Sequence, residues 1–222
     1  ILYNINSAEV RNNQLSSKSI KDFQAAIDAI KANDRMNIVS TDVVAYASPD
    51  GEEDKNATLS DNRSKSAEKA FGAVTKKHAV NAPVNVKSIA EDWEGFQELV
   101  AASDMEDKNL IIRVLSMYSD PAVREKEIRN LSAVYKTLAQ EVLPELRRAR
   151  FIANVEFTNY TSEELLELID SNIDILDEEA LLRAATLVED NEGKLAIYRK
   201  AVDKYDSQRA QYNIAVAYIN MN

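Results

Sequence analysis

The stretch that decides the fold contains Tyr46-Ala47-Ser48-Pro49-Asp50-Gly51 and, shortly after it, Leu59-Ser60-Asp61-Asn62-Arg63. The residues before it, from Met36 to Tyr46, are rich in Ile and Val and predict a buried strand. Proline, aspartate and glycine then favour a tight turn. From about Asp54 to His78, apolar residues recur at helical spacing. The pattern therefore predicts a strand, a short loop and a helix that carries Arg63 one turn into its apolar face.

The segments on either side of this unit continue the alternation of strands and helices. Residues 1–6 are predicted to be a strand, and Ser19 with Asp22 has the spacing of a capping box that opens a helix. A short strand is expected from Val84 to Lys87, and alternation from Ala149 to Phe157 predicts a last strand with one buried face. The predicted fold class is α+β, a two-layer β-α-β-α-β-β sandwich in which helices cover a small sheet.

Two further segments are helical by their patterns. Residues 88–146 are expected to be a helical insertion in the sandwich, with a capping box at Ser88 and Glu91 and helix starts at Asp104 and Asp120-Pro121. Residues 158–222 are helical throughout, with similar apolar positions about one repeat length apart. We therefore predict two domains, 1–157 and 158–222. Because the chain opens directly on a strand pattern and stops inside a repeat, we expect it to be a piece of a longer protein.

Composition excludes several classes of function. The formal charge of −10 lies mostly after Phe157 and disfavours nucleic acid and anionic membrane surfaces as partners. The chain has no cysteine and a single histidine, His78, so neither a disulfide nor a metal site is expected. No apolar run reaches the roughly 20 residues that a membrane-spanning helix needs. Without a glycine-rich phosphate loop, or a nucleophile beside a base, we expect neither an enzyme nor a cofactor.

Several of these residues resemble the motifs of the outer-membrane protein A C-terminal (OmpA-like) domain. Tyr46 to Gly51 is similar to the family's Gly-His/Tyr-Thr-Asp-x-x-Gly loop, and Asn56 to Arg63 is similar to its Asn-x-x-Leu-Ser-x-x-Arg helix. Ile1 to Ala8 resembles the opening strand, and Arg147-Arg148 resembles part of the closing Asn-Arg-Arg-Val-Glu-Ile segment. The resemblance covers residues 1–87 and 147–157.

The C-terminal segment resembles tetratricopeptide (TPR) repeats. Lys194 to Ala201 is similar to the second helix of one repeat, and Ala210 to Tyr218 is similar to the first helix of the next. Small residues at Ala201, Ala215 and Ala217 are expected to let neighbouring helices approach closely. An inserted helical segment combined with such repeats resembles the longer OmpA-like proteins of Bacteroidetes.

The OmpA-like resemblance implies a binding site for the diaminopimelate of peptidoglycan. This zwitterion needs a cation for its carboxylate and an anion for its ammonium, and the resemblance gives the carboxylate to Arg63. The position that usually carries the anion is Ser48, whose hydroxyl cannot supply the charge, and Asp50 replaces it only if the loop turns that side chain inward. Asn6 either lines the site or is a turn residue. The alternative role for Arg63 is structural, through bonds to Asp50 or to loop carbonyls.

Two functions follow as expectations. The first is a non-catalytic protein at the periplasmic face of the outer membrane, which anchors an outer-membrane component to peptidoglycan and binds other envelope proteins through its repeats. The second is an assembly scaffold whose OmpA-like domain has lost peptidoglycan binding, and Ser48 favours this version. Catalysis on cell-wall fragments has no residues to support it.

Overall fold

The chain is an α+β protein that divides into two compact units, Ile1–Phe157 and Thr158–Asn222. The structure, a computed structural model, describes residues 1–221, apart from the side chains of residues 132–134. The sheet lies in the first unit, and the second unit is helical. The buried apolar residues form three clusters, one in the second unit and two in the first, where the helical insertion and the sheet each have one.

Three strands form one sheet within the described part of the first unit. Strand β1 (Met36–Tyr46) is central, pairs in parallel with β2 (Val84–Ile89) and pairs antiparallel with β3 (Ala149–Phe157). The predicted strands at 36–46 and 149–157 are confirmed with the same bounds, and β2 runs on to Ile89. The register shifts between Ile38 and Ser40, where β1 carries an irregularity against β3.

The helices that precede and follow β1 cover one face of this sheet. After α1 (Asn12–Leu15) come α2 (Lys18–Lys31) and α3 (Glu53–Lys76), which both contact β1. Their aromatic rings meet those of the strands, since Phe71 lies 6.2 Å from Phe23 and 5.0 Å from Phe151 between ring centroids. A helical layer on a sheet, with apolar residues between the two, is the arrangement that the pattern predicts.

The capping box predicted at Ser19 and Asp22 is wrong. Helix α2 begins at Lys18, and the hydroxyl of Ser17 accepts a hydrogen bond from the Ile20 N–H at 3.5 Å. Ser17 has the extended backbone that a cap needs, with φ −63° and ψ 158°, whereas Ser19 and Asp22 lie inside the helix.

The strand predicted over residues 1–6 is wrong in extent. Only Leu2 forms a β-bridge, antiparallel to Arg148, and the Tyr3 N–H donates to the Arg147 carbonyl at 2.7 Å. The chain then turns at Asn6, which has a left-handed φ of 52°. The carbonyls of Asn4 and Ser7 accept hydrogen bonds from the side chain of Arg63 in α3, so they are not available to a neighbouring strand.

The insertion forms a helical cluster with its own apolar core. Its buried core residues include Phe96, Val100, Ile111, Leu138 and Leu146. The helices are α4 (Trp93–Ala102), α5 (Lys108–Met117), α6 (Pro121–Asn130), α7 (Ser132–Glu141) and α8 (Leu143–Leu146).

Some of the helix boundaries predicted for the insertion need correction. Ser88 is part of β2, so the cap of α4 is Asp92, whose carboxylate accepts from the Gly95 N–H at 2.9 Å. Helix α5 begins at Lys108, four residues after the predicted start at Asp104. Asp120 caps α6 as predicted, with Pro121 in the first turn. The apolar pattern predicts one helix from Pro121 through Leu138. In the structure, Leu131 leaves helical geometry at ψ 64° and separates α6 from α7.

The second unit is helical throughout, as predicted. Its core contains Leu165, Leu181 and Ile197. Ala201 and Ala217 are buried as expected, but Ala215 is exposed because the inner face of α12 carries Ala210 and Ala217 instead. The elements are α9 (Ser162–Ser171), a 3₁₀ turn (Ile173–Ile175), α10 (Glu178–Leu187), α11 (Asn191–Tyr205) and α12 (Gln208–Asn220).

Candidate functional site

The loop after β1 is held in place by a side chain of the helix that follows it. The Asn56 amide donates to the carbonyls of Ser48 at 3.2 Å and Gly51 at 3.1 Å. The Asp50 N–H closes the turn on the Ser48 carbonyl at 2.8 Å. The loop therefore has a defined shape without any contribution from a ligand, which is what a preformed binding site requires.

Arg63 is fully buried beneath this loop, and its guanidinium joins three separate segments. Nε donates to the Ser7 carbonyl at 2.9 Å, Nη1 to the Tyr46 carbonyl at 2.9 Å and Nη2 to the Asn4 carbonyl at 3.1 Å. The guanidinium carbon also lies 5.1 Å from the centre of the Tyr3 ring. The side chain therefore ties the N-terminal turn and the end of β1 to α3.

The electrostatic state of Arg63 follows from this burial. Loss of water lowers the pKa of its guanidinium to about 10, with a smaller lowering from nearby Arg147. Arg63 thus remains cationic at neutral pH, and its charge is balanced by carbonyl dipoles and the Tyr3 ring. A guanidinium has five N–H donors, so three bonds to carbonyls leave two for other partners.

Asp50 turns its side chain inward, towards the position of Ser48. One carboxylate oxygen of Asp50 accepts from the Ser48 hydroxyl, and the other lies 3.2 Å from Nη2 of Arg147. Nε of Arg147 also donates to the Ser48 hydroxyl oxygen at 3.4 Å. The loop therefore carries a carboxylate beside Ser48, and an arginine that precedes β3 fixes its orientation.

These groups line a cleft of about 400 Å³ whose opposite wall is formed by the helical insertion. From α6, Arg129 donates to the Asp50 carbonyl at 2.5 Å and pairs with Glu125 at 2.5 Å. Burial raises the pKa of the Glu125 carboxyl, because a partly desolvated carboxylate is less stable when charged. The loop and α3 thus form one side of the cleft, and the insertion contributes charged side chains to the other.

Asn6 combines the two roles that its sequence context left open. It lies in a turn with a left-handed φ of 52°, a conformation that asparagine adopts more readily than most residues. It also lines the cleft, next to Arg63 and Ser48. The four predicted site residues, Asn6, Ser48, Asp50 and Arg63, therefore lie around the same cleft, and their role towards a ligand stays a prediction.

Sequence reasoning missed the residues that complete the cleft. Arg147 stood out in the sequence only as part of a motif, and in the structure it pairs with Asp50. Glu125 and Arg129 are four residues apart on one helix, a spacing that predicts a surface ion pair and nothing more. Only the packing of the insertion against the loop places them at the site.

No protein-family model, curated protein or solved structure matches this chain at a significant level. Along the described residues, no helix is both long and apolar enough to cross a membrane. The same part of the chain contains no group of three histidine, cysteine or acidic side chains arranged to hold a metal ion.

Proposed function

We propose that this chain is a non-catalytic cell-envelope protein whose first unit is an OmpA-like domain that binds peptidoglycan at the periplasmic face of the outer membrane. The proposed ligand is the diaminopimelate of the stem peptide. The proposed role of the second unit, as a TPR-like segment, is to bind another envelope protein. Support for the fold assignment comes from the order of strands and helices and from the position of Arg63 beneath the loop.

The observation that carries the proposal is the position of Asp50 in the cleft. Its carboxylate lines the same space as the guanidinium groups of Arg63, Arg129 and Arg147, so both charges that a zwitterionic amino acid needs are present there. Ser48 lacks a charge, but its hydroxyl donates to Asp50 and helps to orient that carboxylate. The missing acidic residue is therefore replaced from two positions further along the loop.

Co-sedimentation with purified sacculi tests this function. Asp50→Asn removes the proposed ammonium-binding charge and is expected to weaken sacculus binding by about ten- to a hundredfold. Asp34→Asn makes the same chemical change in an exposed turn outside the cleft and is expected to have no effect. Equal recovery of wild type and Asp50→Asn would contradict the proposal.

Substitution of Arg63 is a poor test of the same idea. Its guanidinium satisfies the carbonyls of Asn4, Ser7 and Tyr46, and its removal would leave buried acceptors without donors. An Arg63 variant that fails to bind would therefore not separate lost recognition from lost folding.

The bonding of Arg63 is also the observation that favours a second function. Three of its N–H donors are taken up by backbone carbonyls, as expected of a residue that only stabilises the fold. The alternative is an assembly scaffold that no longer binds the cell wall. Two results together would select this alternative. The wild-type protein would fail to sediment with sacculi, and it would recover a stable protein partner from envelope extracts.

A further inference from the structure

We infer that Arg129, on helix α6 of the insertion, is a ligand-binding residue of the cleft and recognises a carboxylate of a ligand that carries two. This inference rests on the proposed function and deepens it, because it assigns to the insertion a direct part in recognition. It also predicts that the ligand is held between the loop and the insertion.

The first step is that Arg63 has little capacity left for a ligand. Three of its donors bind carbonyls and its side chain is buried, so it cannot move towards the cleft without breaking those bonds. Carboxylate recognition by arginine usually uses two N–H groups in parallel. The remaining cations of the cleft are better placed to provide them.

The other two arginines of the cleft, Arg147 and Arg129, use only some of their N–H donors. Arg147 uses Nη2 on Asp50 and Nε on Ser48, and Arg129 uses Nη2 on the Asp50 carbonyl and on Glu125. Among the described residues, Nη1 of each has no hydrogen-bond partner, nor does Nε of Arg129. Arg129 is also 48% exposed, against 12% for Arg147, so it is the more accessible of the two to a ligand. Its guanidinium carbon lies 5.9 Å from the centre of the Tyr135 ring.

The third step is the charge of the cleft. Its described lining includes four cations, Lys55, Arg63, Arg129 and Arg147, against three carboxylates, Glu52, Asp50 and Glu125. Lys55 pairs with Glu52, Arg129 with Glu125 and Arg147 with Asp50, so the surplus cation of this lining is the buried Arg63. In the proposed complex, Asp50 binds an ammonium group of the ligand and Arg129 binds its second carboxylate.

The fourth step is that the insertion holds α6 firmly at this wall. Asp120 caps the helix by accepting from the Val123 N–H at 3.1 Å, and Ile128 is buried in the core of the insertion. Nη2 of Arg124 donates to the Leu115 carbonyl at 3.1 Å and joins α6 to α5. Arg129 therefore extends from a fixed helix, and only its side chain needs to move.

A titration followed by NMR chemical shifts, with free diaminopimelate and with lysine, tests the inference. Lysine is diaminopimelate without one carboxylate, so it reports whether Arg129 acts on that group. Arg129→Gln is expected to weaken diaminopimelate binding by about three- to tenfold, a modest loss because the side chain is half exposed. Lysine binding is expected to be unchanged. Arg129→Lys retains the charge and is expected to recover part of the affinity.

Arg113→Gln is the matched control, since it removes the same charge from an exposed position of the insertion outside the cleft. The inference is overturned if Arg129→Gln binds diaminopimelate as wild type does, or if it weakens diaminopimelate and lysine equally. In either case a loss of binding in Asp50→Asn would leave the proposed function intact. If wild-type protein binds neither diaminopimelate nor sacculi, the proposed function itself fails and the inference fails with it.

Discussion

Gly95 lies where α4 meets the start of β3, at a buried ion pair that joins the insertion to the sheet. Oδ1 of Asp92 caps α4 by accepting from the Gly95 N–H, and Oδ2 accepts from Nε and Nη2 of Arg148 at 3.1 and 2.8 Å. Arg148 also lies over the Tyr46 ring, with 5.4 Å between the guanidinium carbon and the ring centre. A Cβ at position 95 would meet the Arg148 guanidinium and the Asp92 carboxylate, so packing rather than backbone conformation favours glycine there.

Gly95→Ala is therefore expected to destabilise the first unit by about 2–4 kcal/mol. An added Cβ would overlap the Arg148 guanidinium and lie 2.6 Å from Asp92 Oδ2, so the buried pair would have to separate. Gly72→Ala is the matched control, because a Cβ there has no neighbour within 4 Å and alanine favours the helix by about 0.5–1 kcal/mol. Urea unfolding measures both changes, and a similar free-energy change for the two variants would contradict this account.

At the level of the elements, one carboxylate on the open face of the sheet joins all three strands. Asp42 of β1 accepts from the Asn85 amide of β2 at 2.9 Å and from the Asn154 amide of β3 at 2.8 Å. These hydrogen bonds, with Asn154 the larger contributor, lower the pKa of the Asp42 carboxyl. Because the pKa is lower in the folded state, the resulting stabilisation is present above the ordinary pKa and is lost as the pH falls through the folded value.

Asn154→Ala is expected to raise the pKa of Asp42 towards its ordinary value, because the stronger of the two amide donors is removed. An NMR titration of the side-chain carboxyl carbon measures this shift directly. Asn37→Ala, a substitution at an exposed position of β1, the strand that carries Asp42, is expected to leave the pKa of Asp42 unchanged. An unchanged pKa of Asp42 in Asn154→Ala would show that Asn154 does not stabilise the charged form.

For the whole molecule, the division into two compact units implies two separate unfolding reactions. Leu181 is buried in the core of the second unit, and Leu138 is buried in the core of the insertion. A smaller domain buries a smaller share of its surface, so the second unit is expected to be the less stable of the two. Trp93 is the single tryptophan of the chain and lies in the first unit, so its fluorescence follows that unit alone.

Urea unfolding followed by far-UV circular dichroism is therefore expected to show the second unit unfolding first. The Trp93 fluorescence transition of the first unit is expected at a higher midpoint urea concentration. Leu181→Ala, which removes a fully buried side chain, is expected to cost about 2–5 kcal/mol in the second unit and to leave the Trp93 transition in place. Leu138→Ala is the matched substitution that is expected to move the Trp93 transition instead. Displacement of the Trp93 transition by Leu181→Ala would mean that the chain unfolds as one unit.

Local patterns were sufficient for much of the fold. The strand at 36–46 was predictable because it is rich in Ile and Val, and the strand at 149–157 because its residues alternate. A proline after Asp120 marks a helix start. The predictions failed where a residue's partner is distant in sequence. Ser88 does not cap α4 because it pairs with Ala45 in the sheet, and residues 1–6 do not form a full strand because Arg63 binds the Asn4 carbonyl and the chain turns at Asn6.

The candidate site divides in the same way. The sequence by itself determined the α+β class, the loop that carries Ser48 and Asp50, and the arginine beneath it, because turn chemistry and helical periodicity act over a few residues. Only the tertiary structure decided that Arg63 donates to three backbone carbonyls, that Asp50 turns towards Arg147, and that α6 closes the cleft. Those choices depend on which buried polar groups find partners when distant segments pack together, and no local pattern encodes that pairing.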